Sequence, residues 1–127
     1  MFSMPTAAKP GGTIIMYCPA SEGFSFVGKR AYEDHLRARL TEEQIREMVK
    51  KDVIFEATTF SNLARVRGKY DFVAVSENLG PEDIVTMGLG LDKSVSHAMQ
   101  QAFSKHGKDA KVVVFPYGFS TLPSLGN

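Results

Sequence analysis

Cysteine, tryptophan and histidine are scarce in this chain of 127 residues, which has one cysteine, no tryptophan and three histidines. A lone Cys18 cannot close an internal disulfide, so the fold rests on its core, and a reducing, cytoplasmic setting is the expectation. His35, His97 and His106 are widely spaced, and no Cys/His cluster has the spacing of a structural zinc site. No metal ligand set is therefore expected on this chain. Charge of one sign is lacking as well: fifteen basic residues stand against fourteen acidic ones, a formal charge of +1. That balance leaves no electrostatic footprint for duplex nucleic acid or an anionic membrane surface. Apolar runs fall short of the roughly 18 residues that suggest a span, and MFSMPTAAKP has neither a signal-peptide core nor a basic leader. Neither nucleic acid nor a membrane is expected as a partner.

What is present is enough apolar material, 43% of the residues, for one globular domain over residues 1–127 with a single core. Thr13–Cys18 (TIIMYC), between Gly11-Gly12 and Pro19, is apolar throughout and predicts a central strand buried on both faces. Val27, Ala31, Tyr32, Leu36 and Leu40 recur at helical spacing and predict a helix over 26–40. Thr41-Glu42-Glu43-Gln44 has the chemistry of a capping box and predicts a second helix, with Ile45, Met48 and Val49 inward. Ala57, Phe60, Leu63 and Ala64 predict a third, whose start is blurred by the β-branched Val53, Ile54, Thr58 and Thr59. Tyr70–Ser76 reads as the next strand. Pro81 followed by Glu82 and Asp83 predicts a short helix through Met87. Asp92 or Ser94 caps the helix that carries Val95, Ala98, Met99, Ala102 and Phe103, and Gly107 ends it. Lys111–Pro116 (KVVVFP) predicts the third strand. This order predicts an α/β fold: a three-layer, Rossmann-like sandwich with a mainly parallel sheet and helices on both faces.

In such sheets ligands gather beyond the carboxyl ends of the strands. Those ends are Pro19–Gly23, Ser76–Asn78 and Tyr117–Ser120, and Ser21, Glu22, Gly23, Ser76 and Tyr117 are the candidates for a shared cleft. Conventional catalytic patterns are missing. Cys18 has no histidine motif beside it and suits a small apolar role at a strand end. Glu22 and Glu77 could meet as an acid and base pair, although acidic residues in such loops usually cap helices or stay solvated. No G-x-G-x-x-G follows the first strand, and no Walker motif occurs. A catalytic set is thus not expected.

One resemblance covers nearly the whole chain. KPGGTIIM (Lys9–Met16) with the loop Ser21-Glu22-Gly23, then FVAVSENL (Phe72–Leu79), AMQQAFSKHGKDAKVVVFP (Ala98–Pro116) and Thr121-Leu122-Pro123 together resemble the C-terminal domain of the nickel-dependent lactate racemase family. The resemblance implies a 2-hydroxyacid racemase or epimerase whose nickel pincer nucleotide and catalytic histidines belong to an N-terminal domain. No cofactor would then be bound by this chain alone, and the isolated chain would be inactive. Its partner would be that N-terminal catalytic domain or subunit, with the 2-hydroxyacid substrate in the cleft between them. The alternatives are a non-catalytic interaction or oligomerisation module and a stand-alone nucleotide-binding domain, for which the Pro19–Gly23 loop is poorly supplied with glycine.

Overall fold

The structure, a computed structural model, describes residues 7–21, 40–51, 57–118 and 121. The helix predicted over 26–40 lies outside the described residues, apart from its last position. Among the described residues, three parallel strands, β1 (Thr13–Tyr17), β2 (Asp71–Val75) and β3 (Gly90–Asp92), form a sheet in the order β1-β2-β3. Four helices accompany them among the same residues: α1 (Glu42–Lys51), α2 (Ala57–Arg67), α3 (Pro81–Met87) and α4 (Val95–His106).

The chain enters β1 through a turn that needs both its glycines. Gly12 N–H donates to Lys9 C=O at 2.9 Å and Gly11 has φ +79°, the arrangement of a type II turn with Pro10 at its second position. A Cβ on Gly12 would stand 2.9 Å from the Lys9 carbonyl oxygen. Gly11 N–H also reaches Lys69 C=O at 2.7 Å, so the turn fixes where β1 starts relative to β2. From there Thr13 pairs with Asp71 and each following residue with its counterpart, through Tyr17 with Val75.

The helix ends follow their local chemistry. Gln44 N–H donates to Thr41 Oγ1 at 3.2 Å while Thr41 N–H donates to Gln44 Oε1 at 2.8 Å, which is the predicted capping box. In α3 the Gly80 N–H is held by Asp83 Oδ2 at 2.9 Å. The helix closes at Gly88, φ +68°, with Leu89 N–H donating to Ile84 C=O, the six-to-one bond of a Schellman motif. Ser94 caps α4 by accepting from His97 N–H, and Gly107 ends it by donating to Phe103 C=O at 2.8 Å.

Two apolar clusters meet at shared residues. Ile45 of α1 and Leu63 of α2 pack with Leu40, Ala64, Met87 and Leu89, and Ala74, Leu79 and Ile84 pack with Ala20, Met87, Leu89 and Leu91. Met87 and Leu89 join the helical pair to the sheet. Arg67 carries its guanidinium across to the Leu40 carbonyl at 2.8 Å.

Two strand expectations need correction. The third strand is Gly90–Asp92, and Lys111–Phe115 takes no strand pairing among the described residues. A three-residue strand opening on glycine carries no apolar run for periodicity to detect. Its place is set by pairing with β2, where Val73 is partnered with Gly90 and Val75 with Asp92. The VVVF run has strong β propensity, but propensity makes no strand without a ladder partner. Among the described residues β1 also has a neighbour on one side only, where the sequence predicts a central strand; Tyr17 is 62% exposed whereas Ala74 and Val75 of β2 are buried.

Two substitutions test this packing. Ile84→Ala should lower unfolding free energy by about 2–5 kcal/mol through transfer loss plus a cavity, since Ile84 is 2% exposed. Gly11→Ala should cost about 1–2 kcal/mol from the left-handed backbone alone. Urea melts read both, and an unchanged midpoint for Gly11→Ala would contradict the turn.

Candidate functional site

Because all three strands run parallel, their carboxyl ends share one edge, formed by Cys18–Ser21, Ser76–Asn78 and the Asp92-Lys93 corner. Ser76 is fully buried and organises it. Its Oγ donates to Pro19 C=O at 3.3 Å and accepts from the N–H groups of Asn78 and Leu79, each at 3.3 Å. Its own N–H donates to Asp92 C=O at 3.2 Å. Asn78 Nδ2 adds a second bond to Pro19 C=O at 2.6 Å, so the loop after β1 is tied twice to the loop after β2.

That loop stores some strain. Ala20 has φ +45°, a left-handed conformation that costs a residue with a Cβ about 1 kcal/mol or more. Its methyl packs against the Ala74, Leu79 and Ile84 cluster, which helps hold the conformation and turns Ser21 outward into an exposed turn position.

The third corner carries an Asp–His pair. Asp92 Oδ1 accepts from Ser94 N–H at 3.0 Å, and Oδ2 lies 2.6 Å from His97 Nδ1. His97 Nε2 is 3.4 Å from Gln101 Nε2. The set is consistent when Nδ1 carries the proton and Nε2 accepts from the Gln101 amide. The Ser94 backbone bond, followed by the His97 hydrogen bond, holds the Asp92 carboxyl below its ordinary value. Lys93 Nζ meanwhile donates to Leu79 C=O at 3.0 Å, binding this corner to the loop after β2.

The five residues expected at the cleft sort unevenly. Ser21 lies at the edge and is exposed. Glu22 and Gly23 lie outside the described residues, and with Glu22 goes the acid and base pairing with the exposed Glu77. Ser76 is at the edge, but its hydroxyl is spent on the loops, so its place is in positioning Pro19 and Asn78. Tyr117 is 79% exposed in a turn, and its carbonyl accepts from Thr121 Oγ1 at 2.9 Å.

Cys18 is half-buried and donates its N–H to Val75 C=O at 2.9 Å. His106 sits at the opposite, amino end of the sheet, 2.8 Å from Thr13 Oγ1, and His35 lies outside the described residues. Sequence reasoning missed Asn78 and the Asp92–His97 pair. The spacing Asp-x-Ser-x-x-His at a strand-to-helix junction was a usable signal, but only once Gly90–Asp92 is recognised as a strand.

The arrangement is a rigid polar edge whose buried groups are satisfied among themselves; among the described residues, no buried side-chain nitrogen or oxygen lacks a partner. Its hydroxyl and carboxylate serve the scaffold. A parallel α/β domain presenting such an edge is the class that the fold defines.

Comparison with known proteins narrows that class. The profile of the lactate racemase C-terminal domain family matches residues 1–122, and the chain belongs to that family. It is 28% identical over 117 residues to lactate racemase of Lactiplantibacillus plantarum, covering 90% of this chain and 27% of that protein. Among solved structures, the lactate racemase apoprotein from Thermoanaerobacterium thermosaccharolyticum superposes with a TM-score of 0.75 at 19% identity, over 91% of this chain and 28% of that one. The fold is thus shared, and the chain spans little more than a quarter of the length of these relatives.

Two measurements probe the edge. Ser76→Ala should cost about 1–3 kcal/mol by leaving buried N–H groups unsatisfied, read by thermal or urea unfolding. A carboxyl with a depressed folded pKa contributes stability that is present above its unfolded value and lost as pH falls through its folded value. Stability should therefore drop from about pH 4 downward, and Asp92→Asn should flatten part of that drop in a series of Tm measurements at descending pH.

Proposed function

We propose that this chain is the accessory, cleft-closing domain of a lactate racemase-like 2-hydroxyacid racemase or epimerase, and that it does not catalyse the reaction alone. The observation that carries this reading is the family match over residues 1–122 combined with a span of only 27% of the racemase from Lactiplantibacillus plantarum. The remaining length of such an enzyme supplies the N-terminal catalytic domain or subunit. The single cysteine suits the cytoplasm as the place where the two work.

The nickel pincer nucleotide belongs, in this reading, to that other domain. The described residues of this chain do not fit it: none of their His, Cys, Asp and Glu side chains form a group of three or more that could hold a metal ion. The Asp92–His97 pair is also closed on itself through Ser94 and Gln101. No step of hydride or proton transfer is assigned to this chain.

Its contribution is physical. A domain that closes over a reacting 2-hydroxyacid excludes water from it, which strengthens the electrostatic interactions inside the site and protects intermediates. The edge built on Ser76 is suited to this because its loops are cross-tied at Pro19, Asn78 and Asp92. Ser21 and Tyr117, both exposed, are the described side chains proposed to face the cleft. The buried Ser76 positions the loop that carries Ser21.

The test is racemisation of a 2-hydroxyacid by the purified chain, supplied with nickel pincer nucleotide and followed by chiral chromatography. No turnover is expected from the chain by itself. Turnover without a second polypeptide would overturn the proposal.

A further inference from the structure

Among the described residues the sheet has an open edge at β1, and a β-prone segment stands unpaired. Among the described residues β1 is bonded to β2 alone. Asp71 N–H donates to Gly12 C=O and Cys18 N–H donates to Val75 C=O, so the even-numbered positions from Gly12 to Cys18 face β2. By the alternation of a strand, Thr13, Ile15 and Tyr17 direct their N–H and C=O groups to the open side. No residue from Lys111 to Phe115 exchanges a backbone hydrogen bond with a described residue. Val112, Val113 and Val114 are 49%, 62% and 76% exposed, leaving apolar side chains of successive, oppositely directed positions in water.

The connection between them is already fixed. At the end of α4, His106 Nε2 is 2.8 Å from Thr13 Oγ1, Thr13 Oγ1 donates to Asp71 Oδ2 at 3.2 Å, and Lys105 Nζ donates to the same oxygen at 3.2 Å. α4 leaves β3 at the carboxyl edge, crosses the sheet in contact with all three strands, and is pinned at the amino end of β1. Gly107 then stops the helix, and Ala110 N–H turns back to Gly107 C=O at 3.1 Å. The chain is released beside the start of β1 with five residues, Lys111–Phe115, to match the five of Thr13–Tyr17.

We propose that Lys111–Phe115 adds in parallel to the free edge of β1 as a fourth strand, the closed form of the open edge described above. The resulting spatial order places the new strand outside β1, followed by β2 and β3. Parallel crossovers are right-handed in nearly all cases. From β2 to β3 the chain moves one way along the sheet through α3, and from β3 to the new strand it moves the other way through α4. Right-handedness therefore puts α3 and α4 on opposite faces. Ala74 faces the α3 cluster, so Val73 and Val75 face away from it, and α4 is the helix positioned to cover them.

Closure has a consequence at the carboxyl edge. The strand order then reverses between β1 and the new strand, and this is where open α/β sheets form their ligand crevice. Pro19–Ser21 would flank that crevice on one side and Pro116–Gly118 on the other, bringing Tyr117 alongside Ser21. The strand itself does not depend on the racemase reading, and its test measures no racemase activity.

Residue-resolved amide hydrogen exchange of the chain decides the matter. Ile14 and Met16 bond to β2 in either form and serve as fold controls; among the described residues, Ile15 and Tyr17 find a partner only if the new strand pairs. Expected is exchange at Ile15 and Tyr17 at least about tenfold slower than in the Val112→Pro/Val113→Pro variant, which loses an inward N–H in either register. The slowing should be independent of protein concentration. Should the variant lose protection at Ile14 and Met16, the wild-type rates alone decide: Ile15 and Tyr17 must match their neighbours within the strand. Exchange at Ile15 and Tyr17 as fast as in an unpaired loop, or protection that grows with concentration and so comes from a second copy, would overturn the proposal.

Discussion

The Ser76 hydroxyl is the point on which the carboxyl edge depends. One oxygen donates to Pro19 and accepts from two backbone N–H groups, and the backbone of the same residue bonds Asp92. The ends of all three strands are thus referred to a single buried residue. A hydroxyl without these partners would be costly to bury. With them, it converts three loops from distant parts of the chain into one rigid surface.

The rest of the fold supplies the conditions for that bond set. The Lys9–Gly12 turn and its bond to Lys69 fix the register of β1 against β2, which brings Pro19 level with Ser76. The Ala74, Leu79 and Ile84 cluster holds the loop after β2 from below and supports the strained Ala20 from the side. Met87 and Leu89 carry the packing on to α1 and α2. At the opposite end of the sheet, Thr13, Asp71, Lys105 and His106 pin α4 to the amino end of β1 and β2.

Much of this was legible in the sequence where chemistry is local. The capping box at Thr41, Pro81 at the start of α3, and Gly107 at the end of α4 act through residues within four positions of one another, and the local sequence predicts each of them; it narrows the other end of α4 to Asp92 or Ser94, of which Ser94 is the cap. What escaped depends on distant partners. β3 is three residues long and begins with glycine, so its existence is written in its pairing with the β2 backbone and not in its own pattern. Lys111–Phe115 has the composition of a strand, but pairing is decided by whether an edge accepts it. The same holds for the site. Ser76 was identifiable as a strand-end residue, whereas its burial and its bond to Pro19 follow only from the parallel register. The resemblance quoted on KPGGTIIM, FVAVSENL and the α4 segment agrees with the family match over residues 1–122.

The central claim is that the edge organised by Ser76 faces the remainder of a lactate racemase-like enzyme. Hydrogen exchange of this chain, with and without the portion of a lactate racemase that it does not span, tests that most directly. The account predicts new protection at residues 18–21, 76–80 and 116–118, with the Lys9–Gly12 turn and residues 68–70 unchanged. Protection confined to the amino end of the sheet would contradict it.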